Sequence, residues 1–153
     1  MKKFHFSLER MRSYKEQMLE TQKNALRTLR HEKQQLDDRI EAYRAEMSRA
    51  NRELLRKTHE GISVVEVKSY RFQIENMRLQ LEELGKEQKR MERMVERQMQ
   101  VVLEAQQEVS GLDKLEEKQL EEYQRDVMRA DEQLIAEFIS TKLAMQKDYT
   151  HAS

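Results

Sequence analysis

The feature that most limits how this chain can fold is a single break in a sequence pattern that is otherwise helical. None of the 153 residues is proline, and an interior proline costs a helix about 3 kcal/mol. At the break, Gly61 suits the left-handed conformation that ends a helix. Ser63 and Glu66 match the S-x-x-E capping box that begins another, and Ile62 and Val67 are placed to form its hydrophobic staple. Because a turn this short folds the second helix back on the first, the sequence predicts an antiparallel helical hairpin.

Apolar residues recur at the three- and four-residue spacing of a coiled coil on both sides of the break. In helix one this predicted seam consists of Leu19, Gln22, Leu26, Leu29, Lys33, Leu36, Ile40, Tyr43, Met47, Ala50 and Leu54. In helix two it consists of Ile74, Met77, Leu81, Leu84, Gln88, Met91, Val95, Gln98, Val102, Ala105, Val109 and Leu112. We therefore predict an all-α fold with one coiled-coil domain over residues 1–153, in which helix one spans about 7–58, the turn 59–63 and helix two about 64–147.

Helix two is predicted to extend beyond the end of helix one. Folding back about residues 60–61 places residue i opposite about residue 121 − i, so Leu8 faces Asp113. The N-terminal end of the first arm then lies opposite about residue 117. The apolar stripe is also expected to change phase after Leu112, since Glu116 and Gln119 would occupy the old phase. The new stripe consists of Leu120, Tyr123, Val127, Leu134, Phe138 and Met145. Because an isolated amphipathic helix is marginal in water, this overhang is expected to bind a partner.

Composition and motifs argue against several kinds of function. Lys plus Arg and Asp plus Glu each number 29, so the formal net charge is zero and nucleic-acid binding is not favoured. No run of about 18 apolar residues occurs, so membrane insertion is not expected. The four histidines are scattered, and we find neither a glycine-rich phosphate loop nor a nucleophile beside a base. We therefore expect no catalytic residues, no cofactor and no metal, and the absence of cysteine and of a secretory signal favours the cytoplasm.

Three short motifs occur in order along the chain. They are Phe4-x-Phe6-x-Leu8-Glu9 at the N-terminus, Gly61-Ile62-Ser63-Val64 followed by Glu66 and Tyr70 at the turn, and Leu112-Asp113-Lys114-Leu115-Glu116-Glu117-Lys118-Gln119 followed by Glu121 and Tyr123. Over about residues 4–140 the chain thus resembles the FliJ family, small proteins of the bacterial flagellar type III export apparatus. One departure is the distal Ile135-Ala136-Glu137, where the family often has Leu-Asp-Glu.

The resemblance implies a coiled-coil stalk without an active site. Such a stalk engages the ring of the export ATPase, and it contacts the membrane protein of the export gate and the free export chaperones. The protein is then expected in the cytoplasm, peripheral at the inner face of the cell membrane. Two alternatives stay open: the equivalent stalk of a virulence-type injection apparatus, and a general coiled-coil scaffold or holdase.

The predicted partner-binding residues all lie in the distal part of helix two. The family motif supplies Leu112, Lys114, Leu115, Glu116, Lys118 and Gln119. The shifted apolar stripe supplies Leu120, Tyr123, Val127, Leu134 and Phe138.

Overall fold

The computed structural model describes residues 2–151, which form two α-helices that pack against each other. Helix α1 comprises Glu9–Glu60 and helix α2 comprises Val64–His151. The described part of the chain contains no strand. The predicted all-α helical hairpin is therefore confirmed.

The helix boundaries differ from the predicted ones by up to four residues. Helix α1 begins at Glu9 instead of about residue 7, because the Phe6 carbonyl accepts a turn hydrogen bond from the Glu9 amide at 3.2 Å. The first helical bond then runs from the Arg12 amide to the Leu8 carbonyl at 2.9 Å. Helix α2 starts at Val64 as predicted and continues to His151 instead of about 147, since neither proline nor glycine interrupts its last 40 residues.

The turn between the helices has the predicted chemistry. Gly61 has a φ of 87°, which lies in the left-handed region that glycine adopts without a Cβ clash. The Ser63 hydroxyl accepts a hydrogen bond from the Glu66 amide at 3.2 Å, so Ser63 caps α2 as predicted. Ile62 and Val67 are both half-buried, as expected for the two residues of a hydrophobic staple.

The contacts between residues divide the chain into two compact units, each built from parts of both helices. The turn unit comprises Met18–Ala105, and the terminal unit comprises the described residues on either side of that range. The prediction of a single domain remains a prediction.

The turn unit has a narrow core along the predicted seam. Leu26, Ile40, Leu84 and Met91 are its buried side chains, between 3% and 8% exposed. All the other predicted seam positions from Leu19 to Ala105 are half-buried. The predicted heptad phase of both helices is therefore confirmed in the turn unit. The stability of this unit comes from a single line of apolar contacts that are mostly half-buried.

Polar pairs fix how the two helices of the turn unit align. The Gln98 side-chain amide donates to the backbone carbonyl of Gln22 at 3.0 Å and to its side-chain carbonyl at 2.7 Å. The Gln88 amide donates to the Asp37 carboxylate at 2.8 Å, and Lys33 donates to the same group at 3.1 Å. The hydrogen bond from Gln88, and then that from Lys33, lowers the pKa of Asp37. Because Gln98 stands opposite Gln22 and Gln88 opposite Asp37, the predicted register is correct to within one helical turn.

Candidate partner-binding site

An extended N-terminal segment, residues 2–8, lies against α2 in the terminal unit. The Phe4 ring is 5.7 Å from the Tyr123 ring, centroid to centroid. The Tyr123 hydroxyl donates a hydrogen bond to the Lys2 carbonyl at 2.5 Å. Phe6 is only 4% exposed, although it precedes the helix. The two N-terminal phenylalanines therefore anchor this segment.

Charged residues occupy several of the half-buried positions of the terminal unit. Arg12 forms ion pairs with Glu116 and with Asp113, the latter at 3.6 Å. Its guanidinium also lies 5.6 Å from the centroid of the Phe6 ring. Lys15 pairs with Glu108 at 2.9 Å, and the hydrogen bond to Glu108 raises the pKa of Lys15. Arg12, Lys15 and Glu116 are all half-buried, so ionic contacts join the two helices of the terminal unit beside half-buried apolar residues such as Leu8 and Leu112.

The sequence reading of this end was wrong in one respect. It expected the old phase of α2 to fail after Leu112, whereas Glu116 and Gln119 remain half-buried in that phase. Counting back from Leu19 by seven residues leads to Arg12, which is therefore a seam position. The opposite charges of Arg12 and Glu116 were the signal in the sequence that could have shown their pairing.

The chain also covers more of α2 than the sequence predicted. Helix α1 was expected to run out opposite about residue 117, but the N-terminal segment reaches Tyr123 through Phe4 and Lys2. Val127 is half-buried as well. Tyr123 and Val127 are therefore not part of a fully exposed stripe.

The eleven predicted partner-binding residues fall into two classes of exposure. Half-buried are Leu112, Glu116, Gln119, Tyr123 and Val127. Exposed are Lys114, Leu115, Lys118, Leu120, Leu134 and Phe138. Among the exposed residues, Leu120 and Leu115 are only 37% and 36% exposed, whereas Leu134 and Phe138 are 63% and 64% exposed. The role of these residues in partner binding remains a prediction.

The last part of α2 carries an exposed apolar set that we call the distal surface. Every residue from Asp131 to Thr150 is exposed. The large apolar side chains of the distal surface are 53–64% exposed. They are Leu134, Ile135, Phe138, Ile139, Leu143 and Met145. An apolar set of this size in an exposed part of a helix is typical of an interaction site.

A second exposed apolar set, which we call the turn surface, was missed by the sequence reading. It consists of Val65, Phe72 and Leu79 on α2, which are 77%, 69% and 46% exposed. The three residues are spaced by seven, so they lie on one face of the helix. Phe72 and Leu79 lie two positions before the seam residues Ile74 and Leu81, on the side facing away from α1. The available signal was this apolar repeat at positions where a hairpin normally carries charge.

Two further kinds of feature do not occur in the residues that the structure describes. Within residues 2–151, no three His, Asp or Glu side chains come together in a group that could hold a metal ion. Over the same range, neither helix has a stretch apolar enough to cross a bilayer.

Comparison with known proteins gives one match. A family model described as "Flagellar FliJ protein" matches residues 4–147. Neither a curated protein nor a solved structure matches the chain. The matched range includes residues 4–8 of the N-terminal segment and the whole distal surface.

Proposed function

Because this chain belongs to the FliJ family of flagellar proteins, we propose that it is a non-enzymatic stalk of the flagellar protein export apparatus. In this proposal the distal surface of α2 engages the ring of the export ATPase. Other surfaces contact the membrane protein of the export gate and the export chaperones, so that the stalk couples them to the ring. The protein acts in the cytoplasm, peripherally at the inner face of the cell membrane. The flagellar family match supports this function over a virulence-type injection apparatus.

The exposure of the distal surface is the observation that carries the proposal. Fully burying one leucine or phenylalanine side chain contributes about 1.5–3 kcal/mol. The six apolar residues of the distal surface are each more than half exposed, so most of that free energy is available to a partner. Binding of a helix in a groove uses anchors at spacings of three and four residues. Leu134 and Phe138 have this spacing and are the proposed anchors.

The family motif contributes to this proposal through only some of its residues. Glu116 is ion-paired with Arg12, and Gln119 is half-buried. We assign these two residues to holding the terminal unit together. Lys114, Leu115 and Lys118 are exposed, and we propose that they contact a partner directly.

The turn surface supports a role with more than one partner. Phe72 is 69% exposed, comparable to Phe138 at 64%. A coupling protein needs separate surfaces for the ring and for the gate or a chaperone, because a single apolar surface holds one partner at a time. We propose that the turn surface binds a partner other than the ATPase ring.

The test compares two substitutions in exposed apolar surfaces of α2. The double variant Leu134→Asp with Phe138→Asp should abolish binding to the purified export ATPase and stimulation of its ATP hydrolysis. Phe72→Asp places one aspartate at a comparably exposed phenylalanine of the turn surface and should leave the stimulation intact. All variants should melt within a few degrees of the wild type, because exposed positions contribute about 0.5 kcal/mol or less to folding.

Three outcomes of this test count against the proposal. Full stimulation by the L134D/F138D variant would exclude the distal surface as the ATPase contact. Equal loss in F72D would show that the effect is not specific to the distal surface. A wild-type protein that neither binds nor stimulates the ATPase would favour a general scaffold or holdase.

A further inference from the structure

We propose that the distal part of α2 also pairs with the same part of a second copy of this chain, in antiparallel orientation. The inference rests on a row of six residues that we call the palindromic row: Met128, Asp131, Ile135, Phe138, Lys142 and Met145. It does not depend on the proposed contact with the export ATPase, since it concerns the free protein.

The palindromic row lies on one face of the helix and points to solvent. Its successive spacings are three, four, three, four and three residues, which is the repeat of a coiled-coil seam. Met128 and Met145 are 63% and 64% exposed. The Lys142 ammonium lies 5.3 Å from the centroid of the Phe138 ring, so the charge of Lys142 lies over the same apolar face. The row is therefore a second seam, distinct from the one that packs within the chain.

The chemistry of the row reads the same in both directions, apart from the sign of its charges. A methionine stands at each end, and Ile135 and Phe138 stand in the middle. An acid, Asp131, precedes this centre by four residues, and a base, Lys142, follows it by four. The row thus carries opposite charges at equal distances from one midpoint.

This arrangement fits a second copy of the chain in the antiparallel orientation only. With a two-fold axis between residues 136 and 137, each Asp131 faces the other copy's Lys142. Ile135 then faces Phe138, and Met128 faces Met145. Such an interface is isologous, so the Asp131–Lys142 ion pair forms twice across it. A parallel pair would instead place Asp131 beside Asp131 and Lys142 beside Lys142, which is destabilising.

A charge-exchange experiment on the full chain tests the pairing. Sedimentation equilibrium should show that the wild type forms dimers as its concentration rises to about 200 µM, since mass action drives association. Asp131→Lys or Lys142→Asp alone should weaken dimerisation about tenfold, because two attractive pairs become two repulsive ones. The D131K/K142D double variant should restore wild-type dimerisation. Glu137→Lys and Lys147→Asp make the same charge changes away from the row and should have no effect.

A cysteine experiment tests the orientation, since the chain has no cysteine of its own. A mixture of Met128→Cys and Met145→Cys proteins should form a disulfide-linked heterodimer under mild oxidation. Neither variant alone should do so, because two copies of residue 128 in the antiparallel pair are about 25 Å apart at 1.5 Å per residue.

The inference is overturned by any of three results. These are a wild type that stays monomeric throughout the concentration range, a double variant that dimerises no better than the single variants, and a Met128→Cys protein that crosslinks to itself. A wild type that stays monomeric would mean that the distal surface binds only a different protein. A Met128→Cys protein that crosslinks to itself would indicate a parallel pair.

Discussion

Alanine substitution of the three glycines should raise stability at two positions and lower it at the third. Gly85 and Gly111 lie inside α2, and a Cβ added at either would meet nothing within 4 Å. Alanine is favoured over glycine inside a helix by about 0.8–1.0 kcal/mol. Since no clash offsets this, G85A and G111A should each raise the free energy of unfolding by nearly that amount. Gly61 also has open space, but its φ of 87° should cost alanine about 1–2 kcal/mol.

Urea titration followed by circular dichroism measures these changes directly. For a chain of this size, 1 kcal/mol corresponds to about 2–4 °C in melting temperature, so thermal melts should resolve each variant as well. The G85A/G111A double variant should show the sum of the two gains, because the sites share no partner. A loss of stability in G85A or G111A would mean that the helix needs glycine there for a close approach. An unchanged G61A would refute the left-handed turn.

Three further substitutions test other parts of the fold. Ser63→Ala removes the cap of α2 and should lower the free energy of unfolding by about 0.5–2 kcal/mol in urea titration; an unchanged value would show that the Ser63 hydroxyl does not stabilise the turn. Phe6→Ala empties a buried site and should cost about 3 kcal/mol in the same assay, whereas Phe72→Ala at an exposed site should cost about 0.5 kcal/mol or less; equal costs would contradict the anchoring of the N-terminal segment. The lowered pKa of Asp37 means that its carboxylate stabilises the fold at pH values above the usual aspartate range, and that this contribution is lost as the pH falls through the lowered pKa. Asp37→Asn should therefore reduce the fall in stability measured between about pH 5 and pH 2, and an unchanged fall would exclude Asp37 as a contributor.

Local signals in the sequence were sufficient for the framework of the fold. Gly61 and Ser63 predict the turn because a left-handed residue and a cap each act through their own backbone neighbours. The seam of the turn unit was predicted in the correct phase, since Ile40 and Leu84 repeat with the helical period and are buried. The glycines at 85 and 111 did not interrupt α2, as expected when the cost of each is about 1 kcal/mol in a long helix.

The candidate site was only partly predictable. Leu134 and Phe138 were expected to be exposed, and they are. Leu120 was expected to begin an exposed apolar stripe, but it is only 37% exposed. Val127, in the same predicted stripe, is half-buried. The turn surface at Phe72 was missed because the search followed one apolar stripe, and a helix can carry a second one on another face.

The sequence by itself determined that this chain folds into two long helices, where it turns back and which faces of the turn unit meet. Those properties follow from helical periodicity and from residues within one turn of each other. Only the tertiary structure decided that Arg12 meets Glu116 and that the N-terminal segment covers Tyr123. Such contacts join residues more than 100 positions apart, so they depend on helix register and on the path of an extended segment. Heptad counting places Arg12 on the seam, but the apolar pattern does not show which charged residues pair across it or how a non-helical segment runs.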